Sequence, residues 1–521
     1  MKIRKMSIDV SAAEICYYIF FSFLLFAKGI GLYDGQIAFK AFLTLAVAAW
    51  FGKMWLTEYT ARELFGVLLL LTAGGIAYLV SGEKGALLYI FMITGLKNVP
   101  VKRVFTVGAV IWSIAYIGMT WMNALHILEG PFKVHEKLGM GMVIRWGLGY
   151  SHPNVLHISY LVLVMFLVYM LGEKHNWKTA AIFMLGNIGV FIYSISSTGI
   201  IATTFYLILS LYWRYRKKWS RLEQIGIQSV MPFCILFSLT APFLLKGVWF
   251  DRLNDLMNTR LNLAKYFLSL QRPTLFGTKL SEIITSQLTM DNSYVFAFVT
   301  YGILLFLIIF GAYLALIRTY CKEQKGTELC IILACLVAGI MEPFLFNTAF
   351  KNISLLFMKD LLFKEGDTRQ IRFPGAISKN FTIPVIIIEK AKGNKKLALS
   401  LFILGCMIGG SGYLHFCGSP ARIIVPRSAC DVGVLQRTEE SLEKIYLSSD
   451  EAVLAKEDKV YGYADGQTEM LVYSGGIAKM EYLRDLLCYS VTGGVLLIIV
   501  YMALVYKVPI AGERNANTDC K

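Results

Sequence analysis

Fourteen apolar segments, separated by polar stretches, set the pattern of this chain. They run roughly 12–31, 36–56, 64–80, 85–97, 104–124, 155–172, 179–195, 198–214, 226–247, 293–316, 328–346, 350–363, 396–416 and 487–507. About 20 apolar residues in a helix match the hydrocarbon thickness of a bilayer. The pattern therefore predicts an all-α, polytopic membrane protein with about 14 transmembrane helices. Segments 85–97 and 350–363 are short, which predicts tilted, broken or re-entrant pieces. The basic N-terminus MKIRKMSIDV precedes a run that lacks an A-x-A-like cleavage site. It reads as a retained first span rather than a removed signal peptide. The chain shows no internal repeat and no low-complexity tract.

Loop charge sets the expected orientation. With the N-terminus cytoplasmic, the inner loops before residue 330 carry Lys2, Arg4, Lys5, Lys53, Arg62, Lys97, Lys102 and Arg103. They also carry Lys174, Lys178, Arg214, Arg216, Lys217, Lys218, Arg221, Arg318, Lys322 and Lys325. The four shortest opposite loops carry only Lys84 and Lys351. This is the positive-inside asymmetry, and it puts the C-terminal tail inside as well. Two longer outer loops break the rule: 125–153, with Lys133, Lys137 and Arg145, and 248–292, with Arg252, Arg260, Lys265, Arg272 and Lys279. Long loops commonly escape the rule. The alternative is that some of these cations bind an anion at the outer face.

The expected organisation has three parts. Residues 1–363 form a membrane core with the large outer loop 248–292. Residues 364–395 form a basic cytoplasmic linker. Residues 396–521 form a transmembrane hairpin around an extracytoplasmic segment, 417–486. That segment contains a candidate helix near 438–456. It also carries Cys417 and Cys430, which face the oxidising side, so a disulfide between them is open.

Composition agrees with the pattern. The 521 residues are 56% hydrophobic and only 17% charged, against about 25% charged in soluble domains. This excludes disordered, collagen-like and secreted disulfide-scaffold classes and weighs strongly against a soluble enzyme. The net charge of +16 is explained by cytoplasmic loops, so no nucleic-acid partner is expected. The ten cysteines show no metal spacing, and most fall in apolar stretches as small hydrophobes.

Five polar constellations carry candidate chemistry. Arg145-Trp-Gly-Leu-Gly-Tyr-Ser-His152-Pro-Asn154 precedes the sixth span. Its glycines let backbone approach a ligand, and its arginine can grip a phosphate in a fork; as plain structure it is a capped helix entry. In the outer loop, Leu253, Leu256, Arg260, Leu263 and Ala264 have helical spacing, which predicts one amphipathic surface helix. Arg252, Arg260 and Lys265 lie on it, and Arg260 has the least local compensation. Asp291-Asn292-Ser293-Tyr294 enters the tenth span. There Asp291 is either an N-cap or a general base. Ser194-Ile-Ser196-Ser197-Thr198-Gly199 follows the seventh span and reads best as a helix contact. Glu342-Pro343, with Asn347 and Asn352, is open between a cavity and a helix contact.

In this order and on this topology, residues 12–363 resemble the bacterial O-antigen ligase/polymerase superfamily. They are most like its Wzy-type repeat-unit polymerases of O-antigen, capsule and exopolysaccharide. Four features carry the resemblance. They are Arg145–Asn154 as R-x-G-x-G-x-x-H-P-N, the loop with Arg260 and Leu275-Phe276-Gly277, Asp291-Asn292-x-Tyr294, and the late Glu342 to Asn352 stretch. Three features depart from it. Ser196-Ser197 stands where the family commonly has Ser-Arg. Asp291 stands where its ligases have histidine, which favours the polymerase side. The hairpin 396–507 exceeds the usual twelve spans.

The resemblance implies a GT-C-like membrane glycosyltransferase in the cytoplasmic membrane, with its site on the extracytoplasmic face. The implied substrate is an undecaprenyl-diphosphate-linked oligosaccharide, as both donor and acceptor. Flippase and chain-length-control proteins are candidate partners beside the bilayer itself. Arg145, Arg260 and Asp291 are the expected catalytic residues. Arg252, Lys265, His152, Asn154, Asn292, Tyr294 and Glu342 are expected to bind substrate. With no Asp-x-Asp motif in an outer loop, metal-independent, cofactor-free inverting transfer is expected. The rival readings are a ligase that moves finished glycan to another acceptor, a flippase or transporter, and a non-catalytic scaffold.

Overall fold

A computed structural model describes residues 3–128, 130, 132–137, 141–270, 273–280, 290–363, 370–371, 379–388, 395–417, 423–426, 460–464, 469–473 and 475–505. The chain is mostly helical. It opens with β1 (Ile3–Ser11), α1 (Ala12–Gly29), α2 (Ile37–Trp55), β2 (Tyr59–Thr60), α3 (Ala61–Ser81), α4 (Gly85–Thr94) and α5 (Val101–Ala124). A hairpin, β3 (Phe132–Lys137) and β4 (Gly141–Trp146), leads to α6 (Pro153–Leu171), α7 (Trp177–Ser194), α8 (Ser197–Arg216) and α9 (Arg221–Leu244). Then come α10 (Gly247–Leu256), α11 (Arg260–Leu270), α12 (Ser293–Glu323), α13 (Gly326–Ala338) and α14 (Lys359–Leu362). After β5 (Gln370–Ile371) and β6 (Asn380–Ile388), α15 (Lys395–Phe416) and α16 (Gly475–Val505) flank β7 (Ile423–Pro426), β8 (Val460–Ala464) and β9 (Glu469–Tyr473).

Among the described residues, nine helices are long and apolar enough to cross a membrane. They are α1, α2, α3, α5, α6, α9, α12, α15 and α16. Helices α4 and α13 are apolar but shorter. Helices α7 and α8 form where spans are expected but are less apolar. The segment expected as a twelfth span, 350–363, is instead a 3-10 turn, Ile353–Met358, followed by the single turn of α14. The strands correct a purely helical expectation; β3 and β4 occupy the loop 125–153. The candidate helix at 438–456 and Cys430 lie outside the described residues, as does most of the basic linker.

The chain divides into two compact units. The smaller holds 1–8, 121–129 and 383–521. Within it α15 packs closely along α16 through glycine: a Cβ on Gly405 would meet the Gly493 carbonyl oxygen at 2.3 Å. Trp121 Nε1 donates to Thr492 Oγ1 at 2.5 Å, and His126 Nε2 lies 3.0 Å from Asp485. Three strands of this unit form an antiparallel sheet in the order β7-β9-β8.

The larger unit, 9–120 and 130–382, carries the helical bundle. Local sequence explains its helix starts. Thr60 with Glu63, and Ser220 with Glu223, form capping boxes for α3 and α9, satisfying amide donors that a helix start leaves orphaned. Pro153 begins α6 behind His152, whose Nδ1 accepts from the Asn154 amide. The core follows α12, whose Tyr294, Tyr301, Tyr313 and Tyr320 are all buried. Each hydroxyl finds a partner, the first three on Leu336 O, Phe346 O and Ser354 Oγ. Burying an aromatic ring while pairing its polar tip avoids the cost of an orphaned hydroxyl.

Helix α12 is interrupted at Gly302 (φ +80°, ψ 172°). There the segment after α11 enters the break. Ile303 N donates to Thr274 O at 3.0 Å and Leu304 N to Leu275 O at 3.1 Å. Gly277 (φ +94°) meets it, and a Cβ on Gly302 would fall 2.1 Å from the Gly277 nitrogen. Only glycine fits both positions.

Candidate functional site

One end of the bundle gathers the helix termini that carry the candidate residues: the starts of α6, α8 and α12 and the ends of α7, α9 and α13. Helix α13 stops at Ala338, earlier than the apolar run predicts. The chain from Gly339 through Glu342 therefore forms a turn at this end rather than continuing the span. Ser293 fixes that turn. Its amide donates to Gly339 O at 2.8 Å, and its hydroxyl donates to Glu342 O at 2.5 Å.

Arg260 reaches the same place through a break in the helix expected across the loop 248–292. One amphipathic helix is expected there, but Asn258 (φ 56°) and Thr259 (φ 65°) adopt left-handed backbone and separate α10 from α11. Asn254 ties the two pieces: its Oδ1 accepts from the Asn262 amide and its carbonyl from the Thr259 amide. The break places Arg260 at the first residue of α11 with only 6% of its surface exposed. Asn258 was the available sequence signal, because asparagine tolerates left-handed backbone better than most residues.

The result is one connected polar network. Arg260 Nη2 lies 3.1 Å from Glu342 Oε1 and 3.6 Å from Asp291 Oδ2. Asn154 Nδ2 donates to the same Glu342 Oε1 at 2.8 Å, and Arg145 Nη2 donates to Asn154 Oδ1 at 2.5 Å. Arg145 Nε donates to Ser194 O at 2.9 Å. Ser194 is held in turn by His157, whose Nδ1 lies 2.9 Å from Ser194 Oγ and whose Nε2 lies 2.7 Å from Asn187 Oδ1. Arg260 Nε is a buried donor with no hydrogen-bond partner among the described residues. A buried charged donor left unpaired is costly, so this atom marks a place where an added acceptor would be gained cheaply.

A cavity of about 150 Å³ opens beside the network, lined by Arg145, Asn154, Arg260, Thr198 and Asn258 among others. Ser197 and Thr198 also line it, so the serine-threonine segment contributes more than the helix contact expected of it. Burial pushes the Glu342 carboxyl up to about 7; nearby Arg260 pulls it down and Asp291 pushes it up again. Lys351 is also buried here, its Nζ donating to Val155 O at 3.2 Å. Burial lowers its ammonium to about 7 against the opposing pull of Glu342. Sequence reasoning gave His157 and Asn187 no role and counted Lys351 only as a loop cation; as isolated polar residues in apolar stretches they carried no pattern.

Arg145, Asn154, Arg260, Asp291 and Glu342 thus meet. The other candidates stand apart. Asn292, rather than Asp291, is the N-cap of α12: its Oδ1 accepts from the Tyr294 and Val295 amides, and its Nδ2 donates to Ser238 Oγ and Ile340 O. That leaves the Asp291 carboxylate, 27% exposed, to face Arg260. Tyr294 is fully buried on Leu336 O, and His152 caps α6. Arg252 and Lys265 are exposed on α10 and α11, with Lys265 Nζ 5.6 Å from the Phe250 ring.

The arrangement offers a gripping arginine flanked by a buried carboxylate and a more accessible one, with a second arginine joined to it through Asn154. Such a group suits an anionic substrate whose reaction also needs proton transfer. No family model, curated protein or solved structure matches this chain.

Proposed function

We propose that this chain polymerises undecaprenyl-diphosphate-linked oligosaccharide repeat units at the outer face of the cytoplasmic membrane. The carrying observation is the network Arg145–Asn154–Glu342–Arg260–Asp291. It brings together residues from four distant segments, the same ones that the resemblance to the O-antigen ligase/polymerase superfamily implies for its site. Arg260 and Arg145 hold the diphosphate of the donor and stabilise the charge it gains as it leaves. The acceptor hydroxyl oxygen forms a bond to the anomeric carbon while the carbon–oxygen bond to the diphosphate breaks, and its proton passes to Asp291. A single displacement inverts the anomeric configuration. Glu342 is a positioning residue: one oxygen orients both Arg260 and Asn154. Arg252 and Lys265, on an exposed face, serve at most to draw the anionic substrate inward.

The test is a reconstituted reaction. Full-length protein in lipid receives the undecaprenyl-diphosphate-linked repeat unit of its host, and products are separated on a gel. The expected result is a ladder for wild type and none for Arg260→Ala or Asp291→Ala. Transfer only after a host acceptor is added would replace the polymerase with a ligase. No transfer by folded protein in either arm would overturn the glycosyltransferase reading.

A further inference from the structure

A second cavity, of about 320 Å³, lies at the opposite ends of the same helices. Helix α8 spans both places. Ser197 and Thr198 on its first turn line the first cavity, and Arg214 and Lys217 on its far end line the second, roughly 25 Å away at about 1.5 Å per residue. The second volume falls at the low end of small-molecule pockets.

Its lining is graded. Tyr206, Ser210, Trp213 and Lys217 repeat at helical spacing and form one wall. The Trp213 ring stacks on Trp219 with centroids 5.0 Å apart. Gly326, at the start of α13, makes room for it: a Cβ there would lie 2.0 Å from the indole. Val168 and Cys330 complete an apolar interior. Tyr206 also lines it; its side chain is fully buried, and its hydroxyl has no hydrogen-bond partner among the described residues. His175 cannot serve it, because Thr179 and Ser210 hydroxyls occupy both ring nitrogens. At the mouth, the Arg214 and Lys217 charges outnumber that of Glu173.

A ligand that satisfies this gradient carries an anion at one end, an acceptor oxygen further in and methylenes along the apolar wall. We propose that the cavity binds an anionic glycerophospholipid. Its phosphodiester pairs with Arg214 and Lys217, an ester oxygen accepts from Tyr206, and the upper acyl chain lies along Trp213. A free phosphate ion would meet only the first of these requirements. The site is independent of the glycosyltransferase reading and stands or falls without it.

Native mass spectrometry of the full chain, released from detergent with added lipid, tests this. Phosphatidylglycerol should be retained at least about tenfold more strongly than phosphatidylcholine. Arg214→Gln with Lys217→Gln should cancel that preference. Tyr206→Phe should weaken phosphatidylglycerol about fivefold, the worth of one hydrogen bond, without lowering the melting temperature, because the hydroxyl it removes is unpaired. Equal retention of the two lipids, or an unchanged preference in the double variant, would overturn the proposal. So would complete displacement of phosphatidylglycerol by millimolar inorganic phosphate, which would make this an ion site. Unchanged binding by Tyr206→Phe would overturn the inserted pose.

Discussion

Removing Arg260 should damage stability and activity separately, and a second substitution should tell the two apart. In wild type, Glu342 is nearly fully buried and Arg260 Nη2 sits 3.1 Å from its Oε1, with Asp291 Oδ2 3.6 Å from the same nitrogen. Arg260→Ala leaves two carboxylates facing each other without the cation between them. Breaking one partner of a buried pair costs about 3–5 kcal/mol, mainly because the surviving charge is stranded. Glu342→Gln removes that charge and keeps an amide that can still meet Asn154. The double variant should therefore recover to within about 1 kcal/mol of Glu342→Gln alone. Scanning fluorimetry in one lipid composition reads the stability, and polymer synthesis reads the activity. Arg260→Ala should melt on the order of 5 °C or more below wild type at pH 8. The double variant should regain most of that loss while remaining inactive.

The pH dependence carries the sign. A carboxyl raised to about 7 in the folded chain binds more protons there than in the unfolded chain between about 4.5 and 7. Its contribution to stability therefore falls as pH rises through that window. Glu342→Gln should flatten this fall. Arg260→Ala should extend it to higher pH, because the Glu342 carboxyl loses its compensating cation. Normal melting of Arg260→Ala at pH 8, or no recovery in the double variant, would refute the buried-charge argument.

Four further outcomes follow from the same geometry. Asn292→Ala should cost about 2 kcal/mol by removing a helix cap and two side-chain donations, whereas Asp291→Asn should leave the melting temperature within about 2 °C and abolish synthesis. Gly302→Ala should cost at least about 2 kcal/mol, since its left-handed backbone and the adjacent Gly277 nitrogen exclude a Cβ; unchanged melting would show that the break in α12 can straighten. Lys351, lowered to about 7, binds fewer protons folded than unfolded from there to about 10.5, so its contribution to stability rises with pH across that window, and Lys351→Met should remove the rise. Arg252→Ala and Lys265→Ala should each change synthesis less than about threefold at physiological salt, because exposed charges are screened; a loss as complete as that of Arg260→Ala would place them in the site.

The apolar runs predicted most helices correctly because a transmembrane helix must satisfy its backbone internally, and that requirement is written in length and composition. Segment 350–363 misled for the same reason. Once a stretch is buried among other helices, an apolar run need not be a span, and here it forms a 3-10 turn whose Asn352 Nδ2 donates to Tyr313 Oη and Leu345 O. The site was legible by residue type but not by role. Arginines and carboxylates in long loops stood out against a membrane background, yet the sequence left Asp291 open between the cap of α12 and a general base, and the structure puts Asn292 in the cap. Either side chain can accept from the first amides of a helix. Asparagine can also donate, and the fold uses that donor on Ser238 and Ile340 O; aspartate could not fill both needs. Asparagine in the cap leaves the charged neighbour to meet Arg260. The expectation of one helix running through Leu253, Leu256, Arg260, Leu263 and Ala264 has a similar origin. Periodicity saw the apolar face continue past Asn258, but the left-handed pair at 258–259 turns the second piece so that Arg260 enters the buried network. Local propensity at a single asparagine, against a regular hydrophobic pattern, thus decides whether this arginine lies on the surface or at the centre of the site.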